Sequence, residues 1–294
     1  MAENRDMLAW ADAWEAAFER CAQAYSENVG PILASFAEGA VERAGLTRGA
    51  RVLDVACGPG VVTRAAASRV VGPGRALGVD TSPTMARLAA RGAAREPADR
   101  RPAFLSSSAR ALPLRSRAFD AVISSFGLPL SGTPAELVEC ARVLKPGGLL
   151  SFVHFGPAFI EPIFEVSKIL RRHKTETPSQ FLAMYRDLSY RLEKEFHQRR
   201  SPEAIGALLE EAGFGIVDVH ATTVRQRLWG IVNFVDFALS FPLNYLEHEE
   251  MGPIAREKFH AECQAELKKH MDLEEFIAPV ELVYALGRKP AGAG

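Results

Sequence analysis

Cysteine is scarce: the 294 residues contain four, and Cys21, Cys57, Cys140 and Cys263 stand far apart with no Cys-x-x-Cys pair. That spacing argues against a disulfide framework and a structural zinc site, and it fits a reducing cytoplasm. An excess of either charge is also missing. With 35 Lys and Arg against 36 Asp and Glu, the formal net charge is −1, which exerts no global pull on nucleic acid or an anionic membrane. The arginine-rich section from Arg87 to Arg117 reads as a solvated surface. Long hydrophobic runs are lacking as well. The most apolar window, 147–164, is broken by His154, Pro157, Glu161 and Pro162, too often for a bilayer span. Met1-Ala2-Glu3-Asn4-Arg5-Asp6 leads into mixed charge, unlike the basic stretch and apolar core of a secretory signal. The Asn/Asp-Pro-Pro-aromatic motif that would grip a flipped base is absent too, with Ser124-Ser125-Phe126-Gly127-Leu128-Pro129 in its place. These absences leave a small neutral or weakly charged molecule as the expected partner, and leave a homodimer open.

What the chain does have is 48% hydrophobic residues, enough for one decorated domain with a full core. The richest stretch is Val52-Leu53-Asp54-Val55-Ala56-Cys57-Gly58-Pro59-Gly60, followed by Leu77-Gly78-Val79-Asp80. Each is an apolar run ending at a turn or a carboxylate, the layout of two parallel strands that carry a ligand at their C-terminal tips. Gly58 and Gly60 allow positive φ and close approach of backbone to ligand. Asp80 is placed to accept hydrogen bonds from both hydroxyls of a ribose. A dinucleotide-binding turn wants Gly or Ala where this chain has Thr63, and a diphosphate wants no carboxylate nearby. Asp54, inside the first strand, suits a cation instead. S-adenosylmethionine, with its sulfonium and ammonium, meets that description, and Asp54 could hold the ammonium directly or through water.

Further pieces follow in order: Gly78-Val79-Asp80-Thr81-Ser82-Pro83-Thr84-Met85, Ala111-Leu112-Pro113-Leu114, Ala118-Phe119-Asp120-Ala121-Val122-Ile123-Ser124, and Ala141-Arg142-Val143-Leu144-Lys145-Pro146-Gly147-Gly148. Over residues 45–155 the chain resembles class I S-adenosylmethionine-dependent methyltransferases, in the branch similar to ubiquinone and menaquinone biosynthesis enzymes and to secondary-metabolite methyltransferases. The resemblance implies a Rossmann-like α/β fold with a seven-stranded, mostly parallel sheet whose last strand is antiparallel. It also implies a set of cofactor contacts: Asp54, Gly58 and Gly60 around the methionine moiety, Asp80 on the ribose and Met85 against the adenine, with Ala56 and Thr81 further cofactor-binding residues. The family commonly has Gly-Asp-Ala where this chain has Ser107-Ser108-Ala109. Ser108 can still accept a hydrogen bond but carries no charge, and the backbone of Ala109 can read the ring. Ser124, at the tip of the fourth strand, is a further contact.

Hydrophobic periodicity places strands near 51–56, 75–80, 102–106, 118–124, 147–155, 215–224 and 277–287, with helices near 60–70, 82–95 and 133–144. Gly132 or Thr133 can start the last of these helices, and Lys145-Pro146-Gly147-Gly148 stops it. Ser201-Pro202-Glu203 opens a helix that Ala212-Gly213-Phe214 closes. The units expected are N-terminal helices at 1–44, a cofactor-binding core at 45–156, a helical cap insert at 157–200, a core helix and strand at 201–228, a second cap insert at 229–272, and a last strand and tail at 273–294. Met7, Trp10, Trp14, Phe18, Cys21 and Tyr25 recur along one helical face. That stripe either packs on the core or folds over the cofactor, with Tyr25 the residue expected at the site. The inserts carry Phe159, Phe164, Phe181, Tyr185 and Tyr190, and Trp229, Phe234, Phe237, Phe241 and Tyr245. Placed over the cofactor edge they would build an apolar acceptor pocket. His154, ending the fifth strand, is the candidate general base, since imidazole titrates near neutrality. Other readings stay open: a protein of this fold that binds S-adenosylmethionine but catalyses a cyclisation, an arsenite or thiol methyltransferase using Cys140 and Cys263, and a dinucleotide oxidoreductase.

Overall fold

The computed structural model describes residues 2–71, 74–128, 134–156, 161–229, 231–269 and 275–291. Two helices, α1 (Ala2–Asn28) and α2 (Gly30–Arg43), precede an alternation of β1 (Arg51–Val55), α3 (Val61–Arg69), β2 (Arg75–Asp80), α4 (Pro83–Ala93), β3 (Ala103–Ser106), β4 (Phe119–Ser125), α5 (Ala135–Val143) and β5 (Leu144–Phe155). The chain continues through α6 (Glu161–His173), α7 (Gln180–Gln198), α8 (Pro202–Glu211) and β6 (Gly215–Trp229). It ends with α9 (Ile231–Leu239), α10 (Pro242–Glu249), α11 (Pro253–Leu267) and β7 (Glu275–Arg288). The strands form a 7-stranded sheet in the order β3-β2-β1-β4-β5-β7-β6. The first five are parallel, and β7 runs antiparallel to both its neighbours.

Alternation of side chains explains why the central strands are apolar throughout. Val52 faces one buried cluster with Ala66, Ile123 and Val153, while Leu53 and Val55 face another with Leu137, Cys140 and Leu209. A strand covered on both faces has no polar side to spare. The strand order reverses between β1 and β4, so their C-terminal ends open a crevice at a topological switch point.

Boundaries differ from the sequence reading in two places. β5 begins at Leu144, so Lys145-Pro146-Gly147-Gly148 lies within it; the register jumps from Phe119↔Leu144 to Ala121↔Leu149. Gly147, at φ 80, takes the left-handed turn this irregularity requires. β6 extends to Trp229 because Arg225 to Trp229 pair with Glu275 to Pro279 of β7. Gly132 and Thr133 lie outside the described residues; α5 starts at Ala135 after Pro134. Ser201 caps α8 by accepting from the Ala204 amide at 3.2 Å. Among the described residues no helix is long and apolar enough to cross a membrane.

Candidate active site

The β1–α3 turn is held from beneath by β2. Cys57 N donates to the Val79 carbonyl at 3.0 Å, and Gly58 N donates to Asp80 Oδ2 at 2.8 Å. The other Asp80 oxygen accepts from Ser82 N at 2.9 Å. Gly58 lies at φ 51 with open space where a Cβ would stand, so ligand can approach its backbone. Gly60, at φ 78, begins α3; a Cβ there would meet Phe104 at 2.8 Å and Ala89 at 2.9 Å. Its role in the geometry is close packing of the turn, and it does not line the pocket.

Two other non-glycine residues adopt left-handed backbone at the same edge, Ala56 at φ 56 after β1 and Phe126 at φ 62 after β4. Such conformations cost about 1 kcal/mol or more and persist where surrounding structure fixes them. Here the two loops touch. A Cβ on Gly127 would stand 2.2 Å from the Ala56 Cβ.

Above the crevice lies a pocket lined by Trp14, Glu15, Phe18 and Tyr25 of α1, the β1–α3 turn, Asp80, Thr81, Met85, Ala109, Phe126 and Glu136. Of the residues expected from sequence, Tyr25, Ala56, Gly58, Asp80, Thr81, Met85 and Ala109 line this pocket. Asp54, Gly60, Ser108 and Ser124 do not; Ser107 and Ser125 stand in the lining where their neighbours were expected. The alternation of β4 and the turn after β3 set which serine of each pair faces inward. Asp54 is one layer behind: its Oδ2 accepts from Thr63 Oγ1 at 2.6 Å, and its Oδ1 is buried with no hydrogen-bond partner among the described residues. Glu15 and Glu136 gave no signal in the sequence. Trp14 and Phe18 belonged to the aromatic stripe, whose two readings both apply, since it packs in the core and also faces the pocket.

The electrostatics favour a cation. Three carboxylates, Glu15, Asp80 and Glu136, line the pocket, and no Lys, Arg or His does so among the described residues. Burial pushes Asp54 up to about 7, opposed by Thr63 and reinforced by Asp80. Burial likewise pushes Asp80 up to about 6, opposed by the Ser82 and Gly58 amides, with Glu15 and Glu19 adding to the rise. Carboxylates that resist ionisation when alone gain from a cationic ligand. A dinucleotide diphosphate would meet three carboxylates and no basic side chain among the described lining residues. The site therefore fits a sulfonium cofactor: carboxylates in the lining, an open Gly58 backbone and an orphaned buried oxygen on Asp54.

Helix α1 is clasped across this pocket. Glu19 accepts from Ser82 Oγ, from Thr84 Oγ1 at 2.6 Å and from Thr84 N at 3.1 Å. Glu15 accepts from Thr81 Oγ1 at 3.0 Å, and Arg110 ties Asp12 and Glu15 together at 2.6 and 3.1 Å.

A second cavity of about 210 Å³ adjoins the first, and Trp14, Phe18, Tyr25 and Phe126 belong to both linings. Both helical inserts contribute to it, through Ile163, Phe164, Tyr185 and Tyr190 on one side and Phe241 to Asn244 on the other. Phe159 lies outside the described residues. His154 lines this cavity, yet its expected titration near neutrality does not hold there. Burial, then the charge of Arg200, pulls its pKa down to about 3. Its Nδ1 contacts the Phe155 carbonyl at 3.1 Å, so Nδ1 carries the proton and Nε2 is the accepting nitrogen. His220 pairs with Asp218 and Arg43 away from the site. Cys140 and Cys263 are buried in different core clusters, which removes the support for a paired-thiol site.

A methyltransferase-domain family model matches residues 52–148. The ubiquinone/menaquinone biosynthesis C-methyltransferase UbiE of Klebsiella pneumoniae (strain 342) is 31% identical over 186 residues, 62% of this chain and 73% of the relative. The UbiE of Escherichia fergusonii is 30% identical over the same shares. Two solved structures share the fold. Haemonchus contortus phosphoethanolamine N-methyltransferase 2, in complex with phosphomonomethylethanolamine and S-adenosylhomocysteine, aligns with TM-score 0.53 at 17% identity, over 96% of this chain and 60% of that one. The [4+2]-cyclase SpnF aligns with TM-score 0.51 at 22% identity, over 88% and 81%. Together with a pocket built for a nucleoside-bearing cation, these matches place the chain among the class I S-adenosylmethionine-dependent methyltransferases of the UbiE-like type.

Proposed function

We propose that the enzyme methylates a small apolar ring compound, of quinone or secondary-metabolite type, held in the cavity behind Tyr25 and Phe126. One observation carries this reading: the donor pocket and the apolar cavity share a wall of four aromatic side chains. When bound, S-adenosylmethionine supplies a methyl group on a sulfonium, an electrophile that needs alignment and a dry path. Asp80 would hold the ribose hydroxyls, Met85 would pack against the adenine, and Ala109 would present its backbone to the ring edge. The open backbone at Gly58 would run along the methionine moiety, with Tyr25 closing over it. Asp54 and Ser124 would act from behind the lining. Gly60 and Ser108 would shape the turns on either side.

His154 would act as a neutral hydrogen-bond acceptor that orients a hydroxyl of the acceptor. A nitrogen whose conjugate acid has a pKa of about 3 is a weak base at neutral pH. Replacing it, His154→Ala, is expected to raise KM for a hydroxylated acceptor several-fold and leave the pH profile of kcat unchanged. A kcat that collapsed, with loss of an acidic limb in its profile, would restore the general-base role.

The relatives named as C-methyltransferases of ubiquinone and menaquinone biosynthesis support a quinone-type ring and transfer to carbon. The test is an assay with reduced naphthoquinones and related ring acceptors, following S-adenosylhomocysteine and methylated product. Stoichiometric appearance of both is expected. A folded protein that binds donor and rearranges an acceptor without consuming donor would overturn the transferase reading.

A further inference from the structure

We propose that Phe126 positions the acceptor: its left-handed backbone fixes an aromatic plane at the boundary between the two spaces, and a flat aromatic ring packs against it. The role rests on the methyl-transfer reading above and adds the acceptor's shape, a planar ring in place of a saturated, puckered one. Four aromatic side chains line both the donor pocket and the second cavity. Trp14, Phe18 and Tyr25 come from α1, which grips the β2–α4 turn through hydrogen bonds accepted by Glu15 and Glu19. Among the described residues only Phe126 reaches this wall from the end of a strand.

A strand turns successive side chains to opposite faces, yet Ser125 and Phe126 both line the donor pocket. The break is Phe126 itself, at φ 62 directly after β4. A bulky residue in that region is an outlier, held only where its surroundings determine it, and such outliers gather at ligand clamps. The surroundings here are tight. Phe126 N donates to the Val153 carbonyl at 2.8 Å, Phe155 lies tilted against the ring with centroids 4.2 Å apart, and Phe36 meets it edge-on at 5.9 Å. Gly127, next in the chain, packs on Ala56 with no room for a Cβ. The ring is thus held without being covered: Phe126 stays half-buried, and it lines both spaces. In-line displacement at a sulfonium needs the accepting atom well placed, since a shift of about 1 Å costs about a hundredfold in rate. A helix seated by part-exposed hydrogen bonds is a softer reference for that placement than a ring anchored to the sheet. Aromatic pairs also attract beyond the area they bury, which a saturated ring of the same skeleton forgoes. The volume sets the body of the ligand. A cavity of roughly 150 Å³ holds benzene, so about 210 Å³ accommodates a substituted or fused ring.

The test is calorimetry on protein saturated with S-adenosylhomocysteine, with two probes that share a skeleton and a hydroxyl: flat 2-naphthol and puckered, saturated 2-decalol. The aromatic probe is expected to bind about threefold to tenfold more tightly, the margin an aromatic pair adds. Phe126→Leu keeps the bulk without the π-face and is expected to bring the ratio close to one, while Phe126→Tyr keeps it. A merely structural residue would weaken both probes together and leave their ratio alone. Equal affinity in the unmodified protein would overturn the inference, as would failure of 2-naphthol to bind or a ratio that survived in Phe126→Leu. The backbone has its own check. Glycine accepts positive φ without strain, so Phe126→Gly should melt no lower than Phe126→Ala; a lower Tm would deny that strain sets the ring's place. If Phe126→Leu fails to fold, Phe126→Gly takes its place, and survival of the ratio there overturns the inference equally. Heat from S-adenosylhomocysteine without discrimination between the probes removes only the packing on Phe126. Absence of that first heat removes the donor site itself.

Discussion

At the scale of single residues, the strictest demand is at Gly127. With 2.2 Å between a new Cβ and the Ala56 Cβ, Gly127→Ala must push apart the two loops that frame the donor pocket. A loss of about 1–3 kcal/mol is expected for such overpacking, with weaker donor binding, both measurable by denaturation and calorimetry; an unchanged affinity would mean the loops move independently. The carboxylates give a second expectation. Asp54 and Asp80 carry raised pKa values, about 7 and about 6, so without ligand they take up protons as pH falls through that range, while a cation needs them ionised. Affinity for S-adenosylmethionine should therefore weaken as pH drops from 8 to 5, by up to about tenfold per unit for each proton involved. Asp80→Asn should flatten the slope as well as lower the affinity, and a pH-independent affinity in the unmodified protein would contradict the assignment. The glycines at 58 and 60 and the carboxylates at 54 and 80 were readable from sequence because their backbone or charge has few alternative uses. Glu15 and Glu136 were not, since a glutamate on a helix is ordinarily a solvated residue and only the tertiary arrangement turns these two inward. Neither was the left-handed backbone at Ala56 and Phe126, which no local preference announces.

At the scale of elements, α1 is a clasp whose grip on the β2–α4 turn passes through Glu19. Burial alone would raise Glu19, yet hydrogen bonds from Ser82 and Thr84 hold it below the usual carboxylate range. Glu19→Ala removes three contacts at a half-exposed site, where the cost in global stability is about 1 kcal/mol. The larger expected effect is local: amides of α1 should exchange faster with deuterium, and S-adenosylhomocysteine should dissociate several-fold faster in stopped-flow. Unaltered exchange would show that the aromatic stripe alone seats the helix. Most elements were legible because short apolar runs and helical patterns alternate between residues 51 and 143. Two boundaries were not. Lys145-Pro146-Gly147-Gly148 resembles a helix stop, and it falls within β5 because Leu144 and Leu149 on either side of it pair with β4; the far end of β6 exists because β7 is long enough to pair with it.

At the scale of the whole molecule, a net charge of −1 conceals a pocket whose lining gathers Glu15, Asp80 and Glu136, which no composition reveals. Burial of neutral His154 has a global cost in acid. Its pKa is about 3 folded against the ordinary 6.5 of an imidazole, so the stability tied to its neutral form is complete above 6.5 and declines as pH falls from there toward 3. His154→Gln should therefore shrink the loss of Tm between pH 7 and 5; an identical loss would show that other groups govern acid unfolding. The shared wall has one more outcome, for the rhythm of turnover. Trp14, Phe18 and Tyr25 of α1 line both the donor pocket and the second cavity, so an outward swing of α1 would discharge spent donor and uncover the product together. A substrate with two reactive positions would then be released after each round, and singly modified intermediate should build up in solution before any doubly modified compound forms.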